Sequence, residues 1–272
     1  MTEQQVRYDR IAAGYARWWA PVLAPTAVGA LDRLDRLVRT GTRLLDVGTG
    51  TATLPIAALR RWPGVEVVGI DASSGMAEAA RAETDRLLSA AQRARFRVEV
   101  SFADRLPFDD ASFDGAVSSF VLQLVPNRSA VLREVRRVLR SGGRFAHVTW
   151  LAGDREFGPD VAFDAALEDL GVGAREPEGR RGDYRSVRAA ITDLRRAGFG
   201  DVVAEGSELV HRFEPDGYVG FLEEFDEEDL FSSLEPDVRD ELRRRLRRRL
   251  ARLPASAFEL RLPVVAAHGD VP

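Results

Sequence analysis

Hydrophobic residues follow two alternating periods along the chain, one typical of buried strands and one typical of amphipathic helices. Near-continuous apolar runs predict strands at 42–48, 65–71, 97–103, 113–121, 144–150, 201–213 and 257–269. Most of these strands are separated by segments whose apolar residues recur every three or four positions, which predicts helices. Such an alternation predicts an α/β fold, in which a mostly parallel sheet is covered by helices on both faces.

The predicted helices divide into an N-terminal pair and a set that connects the strands. The first forty residues (1–40) predict two helices, at 4–20 and 26–40. The connecting helices are predicted at 51–62, 73–94, 128–140 and 185–199. Ser73 or Ser74 is the predicted N-cap of the helix at 73–94, because a serine oxygen can accept from a free backbone N–H there.

Two later segments break the alternation of strands and helices. Residues 151–184 are rich in glycine and charge and predict one short helix, and residues 214–254 are mainly helical. The sequence contains no internal repeat and no low-complexity linker. We therefore predict a single domain over residues 1–272, in which the two segments are insertions that form a lid or substrate cap.

Composition excludes several kinds of chemistry. The chain has no cysteine, and all 39 of its basic residues are arginine, which excludes cysteine nucleophiles, thiolate metal sites and lysine Schiff bases. The histidines, His147, His211 and His268, are widely separated, so we predict no metal site. No apolar run is long enough to span a bilayer, so we predict no membrane insertion. Because the N-terminus lacks an apolar signal core, we expect a cytoplasmic protein.

An arginine run near the C-terminus raises the question of nucleic-acid binding. On a helix, Leu242, Leu246, Leu250 and Leu253 would form one apolar stripe, with the arginines spread over the remaining surface. The preceding segment is acidic, and the chain's formal net charge is −4. We therefore predict a solvated lid helix held by ion pairs, and no nucleic-acid partner.

The turn after the first predicted strand is a candidate ligand site. Gly48 and Gly50 allow the backbone to bend and a ligand to approach its amides closely. A dinucleotide motif would place a third glycine where Thr53 stands, so that pattern fails. The other candidate ligand for such a bare turn is a smaller adenosine compound.

Two acidic residues follow the next predicted strands. Asp71 ends the second strand, twenty-one residues past Gly50, where a carboxylate can accept hydrogen bonds from both ribose hydroxyls. Asp104 follows Ala103 near the tip of the third strand and could accept from an adenine amino group. The alternative interpretations are a solvated strand end or helix cap for Asp71 and a turn residue for Asp104.

Four segments in order resemble a known family. They are LLDVGTGTA (44–52), VVGIDASSGM (67–76), ADRLPFDDASFDGAVSSFVLQLV (103–125) and EVRRVLRSGGRF (134–145). Over roughly residues 8–150 the chain resembles the class I S-adenosylmethionine-dependent methyltransferases, with a looser match toward the C-terminus. The resemblance implies a Rossmann-like sheet of seven strands whose last strand is antiparallel, and residues 257–269 suit that strand. Ala52 stands at the position where many members of the family have a third glycine.

The same resemblance implies a cofactor, S-adenosylmethionine, with S-adenosylhomocysteine as its product. Gly48 and Gly50, with Thr49 between them, would line its methionyl and ribose parts. Asp46 would lie near its amino group, and Asp71 would hold the ribose diol. The other implied contacts are Ala72 and Met76 beside the adenine, Ala103 and Asp104 at its edge, and Ser118 and Ser119 beside the sulfonium and the methionyl tail.

The N-terminal segment YDRIAAGYARWW (8–19) is similar to the opening of quinone and natural-product methyltransferases. There the aromatic residues close over the methionyl end of the cofactor, which makes Tyr8 and Tyr15 candidates; ordinary amphipathic packing is the alternative. The predicted substrate-binding residues are the aromatic residues in or beside the expected mouth, Trp18, Trp19, Trp150, Phe157, Phe221 and Phe225. Lid aromatics, including Phe163 and Phe231, can also simply pack on one another.

Candidates for a catalytic base are few, so the catalytic residue stays unassigned. His147 lies within a predicted strand, and a histidine satisfied in the core is the interpretation we favour. Gln123, just past the fourth strand, could face the cofactor or the methyl acceptor. With no clear base, alignment of the two reactants alone or an ionised substrate would suffice.

We therefore expect methyl transfer from S-adenosylmethionine to a small apolar or aromatic molecule, with oxygen or carbon acceptors ahead of nitrogen. Two alternatives use the same pocket. One is a different reaction, such as a cyclisation or an aminopropyl transfer, and the other is a regulatory protein that binds the cofactor without turnover. A homodimer is compatible with the sequence.

Overall fold

One twisted sheet organises the chain. The computed structural model describes residues 3–153, 156–173 and 182–272. Within these ranges the strands are β1 (Arg43–Val47), β2 (Glu66–Asp71), β3 (Phe96–Val100), β4 (Phe113–Ser119), β5 (Leu139–Trp150), β6 (Gly200–Arg212) and β7 (Glu259–Asp270). Each lies at a position that the apolar pattern predicts.

Helices connect the strands and build two insertions. The N-terminal and connecting helices are α1 (Glu3–Gly14), α2 (Ala20–Gly29), α3 (Thr53–Arg61), α4 (Ser74–Leu87), α5 (Ala90–Arg93), α6 (Arg128–Val138) and α8 (Val187–Arg196). The insertion after β5 contains α7 (Gly158–Glu168), and the insertion after β6 contains α9 (Pro215–Phe221), α10 (Glu228–Ser233) and α11 (Pro236–Leu250). No helix of the described ranges combines the length and the apolar character that a bilayer span needs.

The strand order is β3-β2-β1-β4-β5-β7-β6, and β7 runs antiparallel to both of its neighbours while the other pairs are parallel. The predicted α/β fold with an antiparallel last strand is therefore confirmed. The order reverses between β1 and β4, where Leu45 pairs with Ala116. Because successive connections leave in opposite directions at such a point, a crevice opens beyond the carboxyl ends of these strands.

The N-terminal segment differs from the prediction. It was expected to form two helices, 4–20 and 26–40, but α1 continues through a π-helical turn (Tyr15–Trp19) into α2, which ends in a 3-10 turn (Ala30–Leu34). The predicted gap at 21–25 is instead helical, and Pro21 lies in the first turn of α2, where proline is tolerated. Pro25 is accommodated inside α2.

Two smaller differences have local causes. The helix predicted at 73–94 divides into α4 and α5, because Ser89 and Gln92 form a capping box that starts a new helix. Ser73 is the N-cap of α4, as predicted, and accepts from the Met76 N–H at 3.0 Å. β5 begins earlier than expected, at Leu139, and passes through Gly142 at a φ of 76°.

The arginine-rich helix α11 packs as its pattern predicts. Leu242, Leu246 and Leu250 are buried, and α11 packs against α7 and α9. Its arginines face outward and form ion pairs with acids on and near the helix, such as Arg245 with Glu241 at 2.7 Å. The apolar stripe therefore anchors the helix, whereas exposed ion pairs of this kind add little stability.

We expect Leu246→Ala to lower the free energy of unfolding by about 2–5 kcal/mol, because it leaves a cavity under α11. Arg244→Ala, on the exposed face of the same helix, should change it by less than about 1 kcal/mol. Denaturant unfolding followed by circular dichroism compares the two variants. Equal losses for both would show that the arginines, and not the leucines, hold the helix in place.

Candidate active site

A cavity of about 520 Å³ lies beyond the carboxyl ends of the central strands, at the predicted crevice. Its sheet side is lined by residues of the strand tips and the turns after them, namely Gly48, Gly50, Asp71, Ala72, Met76, Ala103, Asp104 and Ser119. All of these were predicted cofactor contacts. The structure therefore brings together, on one wall, residues that lie far apart in the sequence.

The turn after β1 needs its glycines for two different reasons. Gly48 has a φ of 73°, and a Cβ built on it would lie 2.2 Å from a methyl carbon of Val121, so the close approach of Val121 excludes any side chain. Gly50 has a φ of 50°, and its nearest neighbour would be the Tyr15 ring at 3.8 Å. A side chain at Gly50 would project into the space between the turn and Tyr15, which is part of the cavity.

Asp71 is fixed on the cavity wall by backbone donors. Its Oδ2 accepts from the N–H of Gly50 at 2.9 Å, and its Oδ1 accepts from the N–H of Ser73 at 3.0 Å. Burial raises the pKa of this carboxyl, and the backbone donors oppose the rise. Each carboxylate oxygen keeps further lone-pair capacity, so the group can still accept hydrogen bonds from a ligand in the cavity.

Three predicted cofactor contacts lie behind the wall instead. Asp46, Thr49 and Ser118 are buried and do not line the cavity. Ser118 donates its hydroxyl proton to the Val47 carbonyl at 2.8 Å, which ties β4 to β1. The family resemblance implied contacts for all three; for Asp46 and Ser118, alternate side chains of a strand point to opposite faces, and these two point away from the cavity.

Asp46 is an unusual buried carboxyl. Its Oδ1 has no hydrogen-bond partner among the described residues. Burial raises its pKa to about 7, the Thr49 hydroxyl lowers it, and the negative charge of Asp71 raises it further. Near neutral pH the group is therefore divided between its neutral and charged forms.

Helix α1 is docked onto the wall by residues that the sequence analysis missed. Asp9 Oδ1 accepts from the Ser73 hydroxyl at 2.6 Å and from the Gly75 N–H at 2.8 Å, so it caps α4 from another helix. These contacts lower the pKa of Asp9. Gln5 donates its side-chain amide to the Ala72 carbonyl at 2.9 Å. The only sequence signal was the place of Asp9 directly after Tyr8.

The opposite side of the cavity is aromatic. Tyr8 and Tyr15 line it with their ring centroids 6.2 Å apart, as the N-terminal pattern predicts. The predicted substrate residues on this wall are Trp19, Trp150, Phe157, Phe221 and Phe225. Trp19 lies at the centre of the group, with its ring centroid 5.3 Å from that of Phe221 and 6.0 Å from that of Phe225.

Two π-helical turns bring this aromatic wall together. The turn Tyr15–Trp19 packs against a second π-helical turn, Leu222–Asp226, in the insertion after β6. Their approach is close: a Cβ built on Gly14 would lie 1.7 Å from the Glu224 carbonyl oxygen. Tyr15 and Phe225, one from each turn, have ring centroids 5.7 Å apart. Such turns carry one extra residue and occur often at functional sites.

Trp18 does not line the cavity, contrary to its predicted role. Its indole N–H donates to Glu224 at 2.7 Å, and the Arg17 guanidinium lies 4.7 Å from the centre of its ring. Consecutive residues of a helix point in different directions, so Trp19 faces the cavity, whereas Trp18 lies outside it and contacts Glu224. Phe163 and Phe231 also lie off the cavity wall and stack on each other at 6.0 Å.

Neither weak candidate for the catalytic base is free to act as one. His147 is fully buried between the rings of Phe145 and Tyr184, away from the cavity, and burial lowers its pKa to about 3. It is a core residue, but the expectation that it is satisfied is wrong, because neither ring nitrogen has a hydrogen-bond partner among the described residues. Gln123 does line the cavity, but its amide donates to the Phe120 carbonyl at 2.6 Å and accepts from the Thr149 hydroxyl. The ring of His211 meets the ring of Phe213 edge-to-face, and His211 lies outside the cavity.

Sequence reasoning missed several residues of the aromatic wall. Phe120 follows β4 with a φ of 55°, and its ring centroid lies 4.3 Å from that of Trp150. Phe213, Tyr218 and Asp160 also line the cavity. A strained non-glycine residue beside a cavity is a recognised functional signal, but the sequence alone does not reveal it.

We expect the stability of the ligand-free protein to depend on the ionisation of Asp46. The pKa of this carboxyl is raised from 3.8 to about 7 in the folded chain, so its contribution to stability is complete below pH 3.8 and is lost as the pH rises through 7. Asp46→Asn removes this titration. The melting temperature of the wild type should therefore fall relative to that of the variant between about pH 5 and pH 8.

Differential scanning calorimetry of both proteins across this range measures the effect. Asp109→Asn, at an exposed site outside the cavity, is the control and should follow the wild type. A melting-temperature difference between wild type and Asp46→Asn that does not change with pH would contradict the raised pKa.

Comparison with known proteins agrees with the geometry. Residues 45–147 match a family model described as a methyltransferase domain. The chain is 34% identical over 161 residues to malonyl-[acyl-carrier protein] O-methyltransferase from Geobacter sulfurreducens, covering 59% of this chain and 56% of that protein. It is 36% identical over 105 residues to a ubiquinone/menaquinone biosynthesis C-methyltransferase from the same organism, covering 38% of this chain and 40% of that one. The chain thus matches about half the length of these relatives.

A solved structure shares the whole fold. Phosphoethanolamine N-methyltransferase 2 from Haemonchus contortus, in complex with S-adenosyl-L-methionine, superposes with a TM-score of 0.59 at 18% identity. The match covers 100% of this chain and 61% of that one. Residues 45–147 thus match a methyltransferase domain, and the sheet order and the glycine turn at its switch point agree with the resemblance of this chain to the class I S-adenosylmethionine-dependent methyltransferases.

Proposed function

We propose that the protein transfers a methyl group from S-adenosylmethionine to a small apolar or aromatic molecule. The observation that carries this proposal is the division of one cavity into two unlike ends. The strand tips supply glycines and carboxylates on one side, and the N-terminal helical segment, the end of β5 and the two insertions supply aromatic rings on the other. Such a cavity suits a polar donor and an apolar acceptor held next to each other.

The donor end fits the adenosyl cofactor. Asp71 would accept hydrogen bonds from the ribose hydroxyls, and Gly50 leaves the space that the ligand needs beside the turn. Ala72 and Met76 offer apolar surface for the adenine, and Asp104 would accept from its amino group. Tyr8 and Tyr15 would close the site from the N-terminal side. Asp46 and Ser118 would act from behind the wall, by supporting the turn and the strand.

The acceptor end would be formed by the aromatic side of the cavity. Trp19, Trp150 and Phe221 present flat apolar faces, which suits a flat apolar acceptor. Oxygen or carbon as the methylated atom is supported by two of the relatives above 30% identity, one named an O-methyltransferase and the other a C-methyltransferase.

Positioning and exclusion of water would account for most of the catalysis by this chain. The bound cofactor supplies a methyl group that its sulfonium has already activated. The residues of the chain then have to hold the acceptor atom in line with that methyl group and keep water out. The aromatic wall and the contact between the two π-helical turns serve both purposes, because they cover the cavity and orient a flat ligand.

The test is transfer of a labelled methyl group. The purified protein is incubated with S-adenosylmethionine labelled in its methyl group and with a panel of small aromatic and apolar acceptors. Mass spectrometry should find the label on an acceptor, together with S-adenosylhomocysteine. Conversion of an acceptor without the label would indicate a cyclisation, and transfer of the aminopropyl group would indicate a different transferase. Binding of the cofactor with no turnover of any acceptor would favour a regulatory protein.

We further expect Asp71→Ala to weaken binding of S-adenosylhomocysteine at least about tenfold, because it removes paired hydrogen bonds to the ribose hydroxyls. Isothermal titration calorimetry measures the affinity, and Asp109→Ala serves as a control outside the cavity. Unchanged affinity in a folded Asp71→Ala variant would argue against the ribose assignment.

A further inference from the structure

The four tryptophans of the chain divide into two pairs by the partner of the indole N–H. Trp18 donates to a glutamate at 2.7 Å, and Trp62 donates to an aspartate at 3.1 Å. Neither of these two residues lines the cavity. Trp19 and Trp150 do line it, and within the described ranges the indole N–H of each has no hydrogen-bond partner.

The two unpaired indole groups are not sealed inside the protein. Trp19 and Trp150 are half-buried, and their nitrogens do not belong to the buried polar atoms of the described residues that lack a partner. Each N–H therefore keeps accessible surface. An indole N–H can only donate, and a tryptophan that is largely buried usually finds an acceptor for it. A ligand in the cavity can supply that acceptor.

Both indole rings are held in place by their neighbours. Trp150 ends β5, and its ring centroid lies 4.3 Å from that of Phe120. Trp19 packs against Phe221 and Phe225 of the insertion after β6. The centroids of the two indole rings are 6.3 Å apart, so both donors belong to one part of the cavity. Because the rings are already packed, little side-chain freedom is lost when a ligand binds to them.

Other polar side chains at the aromatic end already have partners within the protein. Tyr218, on α9, donates its hydroxyl proton to Asp160, on α7, at 2.6 Å. Gln123 uses both ends of its amide, toward Phe120 and Thr149. A ligand oxygen would have to displace one of these hydrogen bonds, whereas the two indole N–H groups can bind it without such a loss.

The charges on the cavity wall favour a neutral oxygen. Within the described ranges the charged lining residues are five carboxylates and one guanidinium, those of Asp71, Asp104, Asp160, Asp183, Asp226 and Arg7. Three of the acids, Asp160, Asp183 and Asp226, also take part in interactions within the chain. An ionised carboxylate cannot donate to an oxygen, and an anionic ligand oxygen would face like charge. A carbonyl oxygen avoids this repulsion and still accepts from an indole N–H.

We propose that the indole N–H groups of Trp19 and Trp150 bind the methyl acceptor by donating hydrogen bonds to a neutral carbonyl oxygen. The inference rests on the proposed function and narrows its substrate class. The acceptor is an aromatic molecule that carries a carbonyl group. The aromatic rings of the wall select its flat skeleton, and the two N–H groups select its oxygen.

The experiment uses two probes of nearly the same shape, 2-acetylnaphthalene and 2-isopropenylnaphthalene. Only the ketone has an oxygen; the alkene carries a CH₂ group in its place. Equilibrium dialysis at pH 7 measures the affinity of each probe for the protein saturated with S-adenosylhomocysteine. The proteins compared are the wild type, Trp19→Phe, Trp150→Phe, the double variant and the control Trp62→Phe. Each substitution keeps an aromatic ring and removes the N–H.

The quantity compared is the ratio of the affinity for the ketone to the affinity for the alkene. In the double variant this ratio should fall at least about threefold below that of the wild type, as expected for the loss of a hydrogen bond between neutral groups. Each single variant should lose part of the preference. Trp62→Phe should keep the wild-type ratio, because its indole lies outside the cavity. A folded double variant that keeps the wild-type ratio overturns the proposal.

Nuclear magnetic resonance provides a second readout on the unaltered protein, in which the shape of the cavity is unchanged. The ¹⁵N–¹H spectrum contains one indole signal for each of the four tryptophans, and the Trp→Phe variants assign them. The ketone should move the indole proton signals of Trp19 and Trp150 downfield of their positions with the alkene. The signals of Trp18 and Trp62 should not differ between the two probes. The proposal fails if the signals of Trp19 and Trp150 do not differ either, or if the wild type binds neither probe.

A failure of the proposed function would be seen separately. It would appear in the first step, as an absence of S-adenosylhomocysteine binding, or in the labelled-methyl assay. Neither result depends on the choice between the ketone and the alkene.

Discussion

The reversal of strand order between β1 and β4 is the constraint on which the site depends. Parallel strands end together at one edge, and at the reversal the connecting segments leave toward opposite faces, so the edge stays uncovered there. The tight turn after β1 then has to pass close to the segment after β4, and Val121 leaves no room for a side chain on Gly48. The topology of the sheet thus produces both the crevice and the bare backbone that lines it.

An uncovered crevice exposes apolar surface, and the chain covers it with parts that are distant in the sequence. Helix α1 is attached to the start of α4 by Asp9, which accepts from the Ser73 hydroxyl and from the Gly75 N–H, a backbone group at the helix start that has no partner within the helix. From the other side, the two insertions meet through Asp160 and Tyr218. The cover is therefore held both by apolar packing, as of α11 against α7, and by a few directional hydrogen bonds at its edges.

Local patterns in the sequence predicted the sheet and the strand-tip wall well. The strands are short, apolar and separated by clear turns, and residues such as Asp71 and Met76 lie at fixed offsets from the strand ends. Predictions failed where orientation within an element decides the outcome. Trp18 and Trp19 are the same residue type at adjacent positions, but one faces out and the other faces the cavity because consecutive residues of a helix point in different directions. Ser118 and Ser119 differ in the same way, by the alternation of the strand. The pairing of Asp160 with Tyr218 depends on how two insertions pack, which no local pattern records.

The π-helical turn at Tyr15–Trp19 determines which way the side chains of α1 point around the helix axis. Each residue of an α-helix advances the chain by about 100° around the axis, so the one extra residue of a π turn offsets α1 relative to α2 by that angle. Asp9 faces α4 only with this offset. The number of residues between Asp9 and α2 is consequently more constrained than their identity. Loss or gain of one residue there would rotate the Asp9 carboxylate away from Ser73 and Gly75. Many side-chain replacements in the same segment would leave it in place.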